Sequence, residues 1–219
     1  PFDEIEIRKK AQVDISFESE IYKIEGFLDN YSHHFILDKY VTSGDAAGEP
    51  DYVRTVDNLS DLAVSGTRQV ATWQNSQEYE LPEGTGYFWE ANPYVDLNYH
   101  VKNYHPDSIL RTEVYANIYF RPRQQTTIEM FTGLITFPEV PLPYPFSSFL
   151  IPSDNQDYVF EGVFNEGGHD TSYVWLLSTH THKYGKDYDI FLRNSDGTRG
   201  AQIYEGFFDP DYTSNQGFY

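Results

Sequence analysis

Cysteine is absent from this 219-residue chain, which excludes a disulfide framework, a thiolate metal site and a catalytic thiol. Methionine occurs once, at Met130, so a metal would have to rest on histidine, carboxylate or that single thioether. Basic residues are scarce: 15 Lys and Arg stand against 34 Asp and Glu, for a net charge of −19. A surface that negative favours solubility and makes nucleic acid and anionic membranes unexpected partners. No window reaches the roughly 18 consecutive apolar residues of a spanning helix, so membrane insertion is not expected. No signal-peptide pattern opens the chain, and its start at Pro1 predicts a processed chain or part of a larger polypeptide or surface assembly. Also missing are a Gly-x-Ser-x-Gly elbow, a phosphate loop, a dinucleotide fingerprint and a His-Glu-x-x-His helix.

What the chain has in quantity is aromatic side chains, with 19 Tyr and 16 Phe. Together with Val, Ile and Thr they favour half-buried strands over helices, and we expect an all-β fold. Val13–Ser19, Ile21–Leu28 and His33–Val41 read as strands, preceded by a charged segment 1–12 suited to an edge strand or an arm. Residues 42–81 are polar and turn-rich, predicting an elaborated loop region with short strands such as Gln69–Trp73. Tyr94–Lys102 alternates most cleanly: Val95, Leu97, Tyr99 and Val101 share one face, while Asp96, Asn98, His100 and Lys102 share a polar, accessible one.

Further strands are expected at Thr112–Phe120, Thr127–Phe137, Tyr158–Phe164, Ser172–Thr179 and Tyr188–Leu192, with Asp196-Gly197 as a hairpin turn. Pro138, Pro141, Pro143 and Pro145 bar a central strand from that segment. Many short strands separated by turn signals describe a β-sandwich or jelly roll. The break at Arg121-Pro122-Arg123 divides the chain into two lobes, 1–123 and 124–219.

Five of the seven histidines fall into compact groups: His33-His34, His100 and His180-x-His182. On a strand His180 and His182 point to the same side, which suits either a metal-ligand pair or two strand-end histidines held by ordinary hydrogen bonds. Adjacent His33 and His34 would face opposite ways on a regular strand. Only a bulge or a twisted strand end lets both reach one ion. A lone exposed histidine such as His100 is most often no ligand. Gathered together, the five could make a three-imidazole and a two-imidazole site, and imidazole suits copper, zinc, nickel and iron. Asp209-x-Asp211-x-Thr213-x-Asn215 lacks the glycine of a calcium loop and reads as a turn.

In order, Tyr31-Ser32-His33-His34-Phe35-Ile36-Leu37, Leu97-Asn98-Tyr99-His100-Val101 and His180-Thr181-His182-Lys183-Tyr184-Gly185-Lys186 resemble the copper type II, ascorbate-dependent monooxygenases. This is the family of peptidylglycine α-hydroxylating monooxygenase and dopamine β-monooxygenase. The resemblance implies two tandem jelly-roll lobes and up to two copper ions. His33, His34 and His100 would hold an electron-transfer copper, while His180 and His182 would hold the catalytic copper that binds dioxygen. Ascorbate would be the reductant, a C–H bond of a small-molecule or peptide substrate would be hydroxylated, and the protein would be secreted, periplasmic or at the cell surface. The family usually carries several disulfides, absent here. Its second copper also takes a distant methionine, but no methionine follows His182, so either the second lobe or that copper site is expected to be incomplete in this chain. The two-lobed jelly roll is shared with bacterial peptide:N-glycosidase-like proteins, so the architecture alone does not imply oxidation. A non-catalytic jelly-roll binding or cell-surface structural module is the alternative, and a carboxylate-dependent hydrolase a third.

Overall fold

A computed structural model describes residues 3–56, 64–74, 76–103, 105–132, 154, 156–163, 173–177 and 186–207. Its regular secondary structure is almost entirely strand. β1 (Asp3–Gln12), β2 (Ser19–Leu28), β3 (Ser32–Tyr40), β4 (Arg54–Thr55), β5 (Thr67–Trp73), β6 (Gln77–Glu80), β7 (Thr85–Trp89), β8 (Tyr94–Asn103), β9 (Val114–Pro122) and β10 (Ile128–Glu129) form two packed sheets. One sheet runs β4-β1-β8-β3-β5; the other runs β10-β7-β2-β6, with β9 along the opposite edge of β2. Asp29 turns the chain from the second sheet into the first, accepting hydrogen bonds from the Tyr31 and Ser32 amides. The result is an all-β sandwich.

Its core follows from alternation. Ile21 and Ile24 of β2 meet Phe35 and Leu37 of β3, with Val95 of β8 and Trp73 of β5, and all are buried. Trp73 lies over Gly26, where a Cβ would sit 2.6 Å from the indole Cγ. The glycine is therefore the socket that lets the sheets close around the ring. Gly26→Ala is expected to destabilise the sandwich by about 1–3 kcal/mol through overpacking, read as a lower denaturation midpoint with an unchanged slope.

Two expectations for the N-terminus are corrected. The charged segment 1–12 is no arm or edge. Its residues Asp3–Gln12 form β1, paired with β8 over the whole strand and with β4 on the other side. Its charges are accommodated by partners in the fold: Arg8 pairs with Asp38 and Asp96, and the chain between β3 and β4, which contains α1 (Ser43–Ala47), packs against Lys10. Lys10 there donates to the Ala46 carbonyl at 3.0 Å and pairs with Asp51. Of Val13–Ser19, expected as a strand, residues 13–18 are instead irregular, with the Val13 amide tied to the Pro93 carbonyl, and Ser19 opens β2.

Past Arg123 the chain returns to the same sandwich, where Ile128 and Glu129 of β10 pair in parallel with Thr85 and Gly86. Farther on, β11 (Asp187–Arg193) and β12 (Arg199–Phe207) form an antiparallel hairpin closed at Gly197, which adopts φ +84°. The described parts of two expected strands, residues 158–163 and 173–177, are not in strand conformation. Among the described residues no helix is long and apolar enough to cross a membrane.

Candidate metal centre

His100 lies near the end of β8, the middle strand of its sheet. Across the β1–β8 ladder it faces Glu6, and across the β3–β8 ladder it faces His34. Directly opposed residues share a face, so Glu6, His100 and His34 form a row across three strands. His33 joins them through an irregularity in β3. Ser32 pairs with Val101 and His34 with His100, so His33 is an extra residue in the ladder. A bulge of this kind turns neighbouring side chains to one side, the condition that the His33-His34 pair imposes on any shared site.

The three rings converge. Centroids lie 4.8 Å apart for His33 and His100, 4.8 Å for His34 and His100, and 5.5 Å for His33 and His34. One ring nitrogen from each can be chosen so that all three lie within 4.8 Å of one another. Each ring is half-buried, so the cluster is reachable from solvent. Three nitrogens about 2 Å from a common centre would lie roughly 3–3.5 Å apart, and small rotations about the side-chain torsions cover the difference.

Behind His34 stands a second layer that the sequence reading missed. The Asn98 side-chain oxygen lies 3.1 Å from His34 Nε2, and its amide nitrogen donates to Glu6 Oε1 at 2.8 Å. An amide oxygen can only accept, so His34 Nε2 carries a proton, and Nδ1 is the nitrogen left to face an ion. Glu6 Oε1 is also 3.6 Å from His34 Nε2. Burial pushes the Glu6 carboxyl up, but hydrogen bonds with His34 and Asn98 and the nearby charges of His34 and His100 outweigh it and hold it at about 2. A carboxylate behind a ligating imidazole raises its basicity and fixes its tautomer. The signal for Asn98 was present in the sequence, since it shares a strand face with His100; Glu6 could be found only from the β1–β8 register.

This polar face is less accessible than alternation suggests: Asn98 and Asp96 are completely buried. The donor set fits a soft-to-borderline transition ion. It offers three imidazole rings, no thiolate and an adjacent anion in a chain of charge −19, with none of the oxygen-rich coordination that calcium or magnesium requires. His105 is not part of the cluster and packs edge-on against Tyr31. His180 and His182 lie outside the described residues. No protein-family model matches the sequence, and no curated protein does.

Proposed function

We propose that this chain is a copper-binding protein of the monooxygenase type, with His33, His34 and His100 holding one ion in the first sandwich. The single observation that carries the reading is the bulge at His33, which brings two adjacent histidines onto one face beside His100. Imidazole sets also take zinc, nickel and iron; the order of the three histidine motifs favours copper. Copper supplies a one-electron couple, suited to passing electrons from a reductant such as ascorbate toward oxygen chemistry on a C–H bond. The chain's own residues do the positioning. Asn98 holds the His34 tautomer, Glu6 places negative charge beside the cation, and the β8 ladder fixes the spacing. His180 and His182 would supply the dioxygen site and the catalytic role, and this part rests on motif order alone.

Metal analysis of the purified full chain, loaded with copper and dialysed, tests the proposal. About one retained copper in the first sandwich is expected, falling by one equivalent in His34→Ala, with copper-edge anomalous scattering placing it between the three rings. Equal copper in variant and parent removes His34 from the ligand set. For the catalytic half, ascorbate-driven oxygen consumption should disappear in His180→Ala; activity unchanged in that variant rules the monooxygenase out. Copper bound without any turnover leaves the binding module.

A further inference from the structure

A second site is suggested by the far end of β3. A cleft of about 300 Å³ opens where the edge of the first sheet, Lys39 to Val41 and Arg68 to Val70, meets β7 and the β10 segment. At roughly 3.3 Å per residue, Lys39 lies about 17 Å along β3 from His34, and it points to the opposite face of the sheet. The cleft is therefore separate from the histidine cluster. Its volume is at the lower end of what small-molecule sites use.

The charges in it are distributed unevenly. Lys39 is neutralised by Glu90 at 2.5 Å. Arg123 instead lies 4.1 Å above the Phe88 ring and Arg68 lies 5.6 Å from the Phe131 ring, and among the described residues neither guanidinium is paired with a carboxylate. In a chain with 34 acidic residues to 15 basic ones, two arginines facing one cleft on aromatic supports stand out. A guanidinium stacked on a ring keeps its N–H edge outward, the geometry that grips a carboxylate through two parallel hydrogen bonds. Glu18 and Glu129 also line the cleft, but both are exposed and without a fixed partner, free to turn to water. Phe131, itself 55% exposed, offers a flat apolar surface beside the cations.

We infer that this cleft binds a planar organic anion, its carboxylate held by Arg68 and Arg123 and its flat body laid against Phe131 and Tyr87. Benzoate is a suitable probe, with benzamide as its neutral match, benzylammonium as the cationic one and inorganic phosphate as an anion without a ring. In an NMR titration of the full chain, benzoate should shift the Arg68 and Arg123 Nε–H signals and the Phe131 amide. Arg68→Gln and Arg123→Gln, both at exposed positions, should each weaken benzoate at least about tenfold, as expected for losing a charged hydrogen bond. Benzamide and benzylammonium should bind more weakly than benzoate by a similar factor. Benzoate affinity unchanged in both variants, no binding of benzoate, or equal binding of benzylammonium overturns the assignment. Phosphate binding as tightly as benzoate overturns the planar part of it.

Discussion

Copper affinity should fall by more than about 100-fold in His100→Ala, with the sandwich still folded. His100 is the middle member of the row, facing His34 on one side and Glu6 on the other, and its ring is the one that both other imidazoles approach to 4.8 Å. Without it two adjacent imidazoles remain on a bulge, half of a site. Changes behind the ligands, such as Asn98→Ala or Glu6→Gln, act only through orientation and basicity and typically cost about 10–100-fold, so removal of a ligand should exceed them. The ring is half-buried and outside the hydrophobic cluster, so its loss leaves the core intact. A chelator-competition titration measures the affinity, and metal-free thermal unfolding checks the fold. His105→Ala serves as the control, because His105 touches Tyr31 and not the cluster. If His100→Ala binds copper as tightly as the parent, these three histidines are not the site.

How much of this could be read beforehand depends on the length scale of each signal. β8 was legible because its alternation is local, and the two faces read from Tyr94–Lys102 are the two faces in the sheet. The geometric demand of His33-His34 was legible too, since two adjacent residues on a strand can share a ligand only where the ladder is broken. β1 was not legible. Glu6, Arg8 and Lys10 look like a solvated arm until the folded chain covers them with partners 30 or more positions later in the sequence: Asn98 for Glu6, Asp38 and Asp96 for Arg8, and Ala46 and Asp51 for Lys10. Asn98 looked like one more polar residue on an accessible face; its burial, and with it its hold on His34, is a tertiary property. β12 escaped notice because Arg199–Phe207 has weak alternation and is specified chiefly by its hairpin with β11.

The same covering makes the largest stability prediction. Asp96 is completely buried and accepts from Arg8 at 3.1 Å, from Tyr40 at 2.7 Å and from Arg54. Arg8 also binds Asp38 at 3.1 Å, and Arg54 binds Glu49 at 2.6 Å. Asp38 shows what this placement costs: burial pushes its carboxyl up, Arg8 pulls it back, and the Asp96 charge adds repulsion. Such a network stabilises little compared with an apolar replacement, yet breaking it from one side leaves buried charge uncompensated. Asp96→Ala would remove the buried acceptor shared by Arg8, Arg54 and Tyr40, leaving Arg8 to Asp38, Arg54 to Glu49 and the Tyr40 hydroxyl without this carboxylate, and is expected to cost about 3–5 kcal/mol, measured by chemical denaturation. Asp96→Asn keeps an acceptor for Tyr40 and should lose less. Asp157→Ala, which removes an exposed partner of Lys186, should leave the midpoint unchanged, because exposed pairs are screened by water. A loss in Asp96→Ala no larger than in Asp157→Ala would mean that water reaches the network, and Asp96 would then not be the buried acceptor that holds β1, through Arg8, to Tyr40 and Arg54.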